Sequence, residues 1–181
     1  MKSCVAMIRG VNVGGKVLPM ARLRQALTAA GFENVRTYIQ SGNLVLSPGA
    51  LSPEAISKSI EALLHGQFGL DTSVIVRTSP ALERIIAANP FVGNTGINES
   101  RLHVTFLSSS PARAAIPALA AISAGPDQFH HAGTEIYLHC PNGYGKTKLS
   151  NNVIERVLAT RATTRNWKTV CKLVEMSRST G

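Results

Sequence analysis

Cysteine, aromatic residues and acidic residues are all scarce in this chain of 181 residues. The three cysteines, Cys4, Cys140 and Cys171, lie far apart and form no CxxC pair, which excludes a disulfide framework and a zinc ribbon. No apolar run reaches the roughly 20 residues that a membrane-spanning helix needs. Arg9 and Asn12 interrupt the apolar N-terminal stretch before it reaches the length of a signal peptide. We therefore expect a soluble cytoplasmic protein that contacts no membrane.

Basic residues outnumber acidic ones. The chain has 19 Lys and Arg against 10 Asp and Glu, which gives a formal charge of +9 at pH 7. A positive field of this kind favours anionic partners, such as nucleic acid, nucleotides or anionic lipid headgroups. Hydrophobic residues make up 44% of the chain, which is enough for a core and excludes a disordered or fibrous protein. The charge indicates a class of partner but no reaction.

The first 78 residues alternate strand and helix patterns in the order β-α-β-β-α-β. Gly31 is placed to end the first helix, and Ser52 with Pro53 to begin the second. This order is the split βαβ arrangement of a ferredoxin-like subdomain. The predicted strands are 3–8, 35–39, 44–46 and 72–77, and the predicted helices are 19–30 and 52–65.

A linking helix and loop over residues 79–100 lead to a second subdomain over 101–177, followed by a tail, 178–181. Thr163 and Thr164 are suited to cap a helix over 165–176, in the place of the expected fourth strand. The sequence thus predicts an α+β fold of two tandem ferredoxin-like subdomains with antiparallel sheets, the second ending in a helix. Its other predicted elements are strands 102–107, 128–131 and 135–140 and helices 111–122 and 146–158.

Four short segments occur in a characteristic order: RGVNVGGK at 9–16, YIQSGN at 38–43, PNGYGK at 141–146 and ATTRNW at 162–167. Together they resemble the bacterial domain-of-unknown-function family 1697 over nearly the full chain. One departure is Thr147, where the family often has serine, and threonine keeps the hydroxyl. The resemblance implies a cytosolic α+β protein of two ferredoxin-like subdomains. It implies no activity.

The first candidate site combines the glycine-rich loop 9–16 with the hairpin 41–43. The first two strands of a ferredoxin-like sheet are parallel, so both segments emerge at the same end. Successive backbone N–H groups before a helix can hold an anion. The alternative is a tight turn in which Asn12 bonds the backbone. The candidate anion-binding residues are Arg9, Asn12, Gly14, Gly15, Lys16, Ser41 and Asn43.

A second candidate site is the basic C-terminal part of the chain. Residues 146–181 hold eight basic and two acidic residues, a surplus of six in the total of +9. The spacing of Arg165, Lys168 and Lys172 predicts one basic helix face. Gly145-Lys146-Thr147 is not a Walker loop, because Cys140 stands where the first glycine is required. The alternative is a solvated face. The candidate residues are Asn142, Gly143, Lys146, Lys148, Arg165, Lys168 and Lys172.

Strand alternation in the second subdomain predicts a third candidate site. If Leu102, Val104 and Phe106 face the helices, a row of aromatic and imidazole side chains occupies the opposite face. Such a face suits base stacking, metal binding by three imidazoles, or burial against the first subdomain. Because the spacing enforces no metal geometry, we assign no metal and no cofactor. The residues of this face are His103, His130, Tyr137 and His139.

The leading hypothesis is a non-catalytic module that binds phosphate-bearing ligands, above all nucleic acid. One alternative is an enzyme acting on a phosphorylated small molecule, in which a histidine supplies acid–base chemistry. Its anion would be held by Arg9, Lys16, Ser41 and Asn43. A third is a protein-interaction module that pairs at the sheet edge left open by the missing strand. The sequence leaves the oligomeric state undefined.

Overall fold

The structure is a computed structural model that describes residues 3–15, 17–47, 49–122 and 125–178. The chain divides into two compact units. The first comprises Met1–Arg84 with Lys172–Gly181, and the second comprises Ile85–Cys171. Each unit contains its own four-stranded sheet. In the described part of the chain, no helix combines the length and the apolarity needed to cross a membrane.

The first unit has the ferredoxin-like topology that the sequence predicts. Its strands are arranged in the order β2-β3-β1-β4, and every neighbouring pair is antiparallel. β1 and β2 both run antiparallel to β3 and are therefore parallel to each other. The elements are β1 (Cys4–Ile8), α1 (Met20–Ala29), β2 (Glu33–Tyr38), β3 (Asn43–Ser47), α2 (Pro53–Phe68) and β4 (Val74–Thr78), followed by α3 (Ser79–Ala87).

The core of the first unit lies between its sheet and its two helices. Leu23 and Leu27 of α1 are fully buried, as one-face spacing requires. Ser52 caps α2 by accepting a hydrogen bond from the backbone N–H of Ala55 at 3.2 Å. Gly69 ends α2 with φ of 62°, a left-handed conformation that favours glycine. The remaining large buried residues of this core include Ile8, Leu18, Leu44, Leu46, Ile56, Ile60 and Leu64.

The second unit repeats the same topology. Its strand order is β6-β7-β5-β8, again antiparallel throughout, so the predicted α+β fold with two antiparallel sheets is confirmed. Leu119, Ile154 and Leu158 of the helices pack on one face of the sheet. The elements are β5 (Leu102–Leu107), α4 (Ile116–Ile122), β6 (Gln128–Ala132), β7 (Glu135–His139), α5 (Asn151–Leu158) and β8 (Ala162–Asn166), followed by α6 (Trp167–Arg178).

The prediction that the second sheet lacks a fourth strand is wrong. Thr163 and Thr164 belong to β8 and pair with Phe106 and Thr105 of β5. Threonine is β-branched and fits a pleated strand as well as a helix cap, and α6 begins directly after β8 with no intervening turn. The open sheet edge that supported the pairing hypothesis is therefore occupied by the chain itself.

Two predicted helices begin later than expected. Residues 146–150 are not part of α5, because a 3₁₀ turn (Tyr144–Lys146) comes first and Ser150 is extended. The hydroxyl of Thr147 then accepts a hydrogen bond from the backbone N–H of Leu149 at 3.1 Å. The helix predicted at 111–122 likewise begins with a 3₁₀ turn (Arg113–Ala115) ahead of α4.

The predicted sheet faces of the second unit are right for β7, whose Ile136 and Leu138 lie in the core with the helices, but wrong for β5. Leu102 and Val104 pair directly with His139 and Tyr137, so these side chains share a face. His103 instead pairs with Leu138, a residue of the core beneath the helices. All six residues of β5 are buried, and alternation therefore does not reveal which face the helices cover.

Candidate functional site

The glycine-rich loop after β1 and the hairpin between β2 and β3 meet at one end of the first sheet. The side-chain amide of Asn12 donates to the carbonyl oxygens of Gln40, at 2.5 Å, and Leu18, at 3.1 Å. Its oxygen accepts from the backbone N–H of Leu18 at 2.7 Å. The N–H of Ile8 donates to the carbonyl of Gly42 at 2.8 Å. Asn12 thus braces the two loops against each other.

Three of the seven predicted anion-binding residues, Asn12, Ser41 and Asn43, form hydrogen bonds that hold the loops. Asn43 donates through its amide to the carbonyl of Tyr38 and to the hydroxyl of Ser41. Gly14 and Gly15 are exposed and left-handed, whereas Arg9 is only partly exposed. Lys16 lies outside the described residues. This arrangement corresponds to the tight turn that was the alternative to an anion site.

The predicted basic helix face is wrong at Arg165, whereas Lys168 and Lys172 do lie on α6. Arg165 lies in β8, is only 8% exposed, and donates to the Thr163 hydroxyl at 2.8 Å and the Thr164 carbonyl at 2.9 Å. Burial lowers the pKa of its guanidinium to about 10. Lys172 pairs with Glu175 at 2.7 Å. Of the three predicted residues, only Lys168 is fully exposed on α6.

The predicted stacking face is not open. Tyr137 is 1% exposed, its hydroxyl donates to the carbonyl of Ile85 at 2.9 Å, and burial raises its pKa to about 12. His139 is half-buried, with its ring centroid 6.2 Å from that of Phe91. His130 is exposed, and His103 lies on the other face of the sheet. Within the described ranges, no group of three or more His, Cys, Asp or Glu side chains is arranged to hold a metal ion.

Four exposed basic residues surround one end of the second sheet, and we call them the basic rim: Arg101, Lys146, Lys148 and Lys168. Hydrogen bonds of the backbone and of the Asn166 side chain hold the surrounding chain in place. The carbonyl of Arg101 accepts from the N–H of Cys140 at 3.0 Å, and the side chain of Asn166 donates to the carbonyl of Ser100 at 3.2 Å. The oxygen of the same Asn166 side chain accepts from the N–H of Lys168 at 2.9 Å.

Gly143 contributes to the basic rim by leaving room for a cation. A Cβ atom at this position would lie 3.1 Å from Nη1 of Arg101, so the guanidinium passes over the glycine. The rim segments 99–101, 142–148 and 166–168 contain four cations and a single carboxylate, that of Glu99. Positive charge is therefore concentrated here. Segment 166–168 is hydrogen-bonded to segment 99–101, and Arg101 lies against Gly143 of the third segment.

A network of hydroxyl groups centred on Thr164 lies beneath the basic rim. Thr164 donates to the side-chain oxygen of Asn151 at 2.7 Å and accepts from the hydroxyl of Tyr144 at 3.0 Å. The hydroxyl of Thr105 lies 2.7 Å away. Because Thr164 has one proton and gives it to Asn151, Thr105 is the donor in this pair. The network ties β5, β8, α5 and the 3₁₀ turn together, which fixes the loop that carries Lys146.

His103 contributes an aromatic ring to the same site. Its ring stacks on that of Tyr144, with centroids 5.0 Å apart and planes at 28°. Nδ1 lies 3.3 Å from the carbonyl oxygen of Arg101. Burial is the main cause that lowers the pKa of His103, and the charge of Arg101 lowers it further. The imidazole is therefore neutral at pH 7.

The three thiols are poor candidates for a nucleophile. Burial raises the pKa of Cys4 to about 12 and that of Cys140 to about 11, and it also raises the pKa of Cys171. A thiol must ionise to react, so these cysteines are inert near neutral pH. The site therefore has no activated thiol.

Sequence reasoning found Asn142, Gly143, Lys146, Lys148 and Lys168 of this site. It missed Arg101 and the hydroxyl network of Thr105, Tyr144, Asn151 and Thr164. It placed His103 on the wrong face. The signal that could have found the network is the pairing of Thr105 with Thr164, which depends on recognising β8 as a strand.

Comparisons with known proteins bear on the family and the fold. The profile of a family described as protein of unknown function, DUF1697, matches residues 1–137. A solved structure described as the conserved bacterial protein SP0830 from Streptococcus pneumoniae is similar, with a TM-score of 0.77 and 22% sequence identity. The likeness covers 97% of this chain and 98% of that one, and it shows the fold. No curated protein matches the sequence.

Proposed function

This chain belongs to the family of proteins of unknown function DUF1697, and because that description assigns no activity, we propose a function from the site itself: the basic rim binds the phosphates of a nucleic acid. The observation that carries the proposal is the concentration of four exposed cations on three neighbouring segments that contain one carboxylate. Lysine and arginine contacts to phosphates supply most of the affinity of sequence-independent binding.

The rigid support beneath the basic rim favours a binding role over a merely soluble surface. Tyr144 and Asn151 are both tied to Thr164, and Gly143 lets the guanidinium of Arg101 pass close to the loop backbone. Cations held on a fixed frame lose less conformational freedom when a ligand binds than cations on a mobile loop. The frame therefore preorganises the rim for a repeating anion such as a phosphate backbone.

The test is fluorescence anisotropy with a short labelled oligonucleotide at low salt, using nuclease-treated protein. The rim variant Lys146→Glu/Lys148→Glu reverses two charges. We expect its affinity to fall by at least about tenfold, because two attractions of roughly 1 kcal/mol in water become repulsions.

The matched control is Arg113→Glu/Arg156→Glu, which makes the same change in net charge at two exposed residues outside the rim segments. This control should keep most of the affinity. Equal losses in the two double variants would show that only net charge matters, and the rim would not be the interface. Absence of binding by the parent protein would refute the proposal as a whole.

A further inference from the structure

The imidazole of His103 is held between two parts of the basic rim. One ring nitrogen, Nδ1, is bonded to the carbonyl of Arg101, and one ring face is stacked on Tyr144, two residues before Lys146. The residue is only 9% exposed. Its ring is therefore fixed in orientation by two independent contacts.

The contact with Arg101 also decides which nitrogen carries the proton. A carbonyl oxygen can only accept a hydrogen bond, so Nδ1 of His103 is the donor. In a neutral imidazole the other nitrogen, Nε2, then has a free lone pair. Lysine and arginine offer only donors, so Nε2 differs in kind from the cations around it.

Nε2 of His103 is available to a ligand. It takes part in no hydrogen bond with the described residues, and it is not among the fully buried polar atoms that lack a partner. Nε2 is therefore not fully enclosed by the protein. A lone pair on a ring fixed between Arg101 and Tyr144 is placed to read a hydroxyl next to a phosphate.

We infer, on the basis of the nucleic-acid binding proposed above, that the basic rim prefers RNA to DNA because Nε2 of His103 accepts a hydrogen bond from a ribose 2′-hydroxyl. The 2′-hydroxyl is the group that distinguishes RNA from DNA at a given position, and it can donate. A phosphate oxygen would not serve, because it is an acceptor and would face a lone pair. The cations hold the phosphates, and the imidazole reads the sugar.

The experiment compares three single strands of one base sequence by anisotropy: RNA, DNA with deoxyuridine for uridine, and 2′-O-methyl RNA. The parent protein should bind RNA about two- to tenfold more tightly than DNA, the range that one net hydrogen bond supplies. The 2′-O-methyl strand keeps the ribose but lacks the donor, so it should bind as weakly as DNA.

Two variants assign the preference to Nε2. His103→Leu removes the acceptor at similar volume, and the ratio of RNA to DNA affinity should fall to one. His103→Gln keeps an acceptor oxygen and should retain part of the preference. Melting temperatures check that both variants fold. If neither variant folds, the comparison of RNA with 2′-O-methyl RNA on the parent protein still shows whether a donated 2′-hydroxyl proton contributes to binding.

The outcomes separate this inference from the proposed function. Equal binding of RNA and DNA by the parent overturns the inference and leaves nucleic-acid binding intact. A preference that survives in His103→Leu, or that 2′-O-methyl RNA shares, also overturns it. If none of the three strands binds, the proposed function itself fails.

Discussion

Replacing Gly42 with alanine should destabilise the first unit through two separable effects. An added Cβ would lie 2.6 Å from Cγ2 of Val11 and 3.0 Å from Cβ of Ile8, well inside the usual carbon separation of about 3.5–4.0 Å. Overpacking of this kind costs about 1–3 kcal/mol. The backbone φ of +74° adds about 1–2 kcal/mol for a residue with a side chain. The expected loss of unfolding free energy is therefore about 2–5 kcal/mol.

Gly14 provides the matched control, because its φ is +59° and a Cβ there would meet nothing within 4 Å. Gly14→Ala should lose only the backbone contribution, about 1–2 kcal/mol. Urea unfolding followed by circular dichroism measures both variants. The difference between their losses of unfolding free energy is the steric cost of a side chain at position 42, where the two loops pack closely. If Gly42→Ala is no less stable than Gly14→Ala, the close packing of these loops is refuted.

Three further predictions concern side chains with a structural role. Asn12→Ala removes three hydrogen bonds, two to Leu18 within the first loop and one to Gln40 of the hairpin, and should lower the unfolding free energy by about 2–3 kcal/mol in urea. An unchanged free energy of unfolding would contradict the bracing role of Asn12. Thr164→Val leaves Tyr144 and Asn151 without their hydrogen-bond partner and should lower the free energy of unfolding by about 1–3 kcal/mol. Thr164→Ser keeps the hydroxyl and should lower it less. Equal decreases of the melting temperature in the two variants would exclude the hydroxyl network. Burial lowers the pKa of His103 in the folded state, so the unfolded chain binds more protons as the pH falls. At pH values under about 6.5, the free energy of unfolding should therefore decrease by up to about 1.4 kcal/mol per pH unit. His103→Leu should lose this part of the pH dependence, and an unchanged profile would show that His103 is not its source.

The topology was predictable because each half of the chain has strong apolar alternation separated by glycine and proline. The helix end at Gly31 and the N-cap at Ser52 are local signals. Local chemistry and the global fold agree in these elements, and the sequence therefore predicts them.

The fourth strand of the second sheet was not predictable from local chemistry. Its sequence, ATTRN over Ala162–Asn166, has the threonines of a helix cap and a basic residue suited to a solvated helix. Arg165 becomes a buried residue only because β8 pairs with β5. Tertiary pairing thus overrides the local preference.

The candidate site depends on contacts between residues distant in the sequence. Thr164 bonds Thr105 across 59 positions, Tyr144 across 20 and Asn151 across 13. None of these separations follows a helix or strand period, so no motif marks them. The lysines of the glycine-bearing loop could be found from the sequence, but the frame that holds them required the structure.

The salt dependence of oligonucleotide binding tests the central claim most directly. If each of the four rim cations contacts one phosphate of a single strand, the logarithm of the association constant should fall with the logarithm of salt concentration at a slope of about −3, from roughly 0.7 per contact. The Lys146→Glu/Lys148→Glu variant should reduce this slope by about 1.4. A slope near zero for the parent protein would contradict phosphate binding by the basic rim.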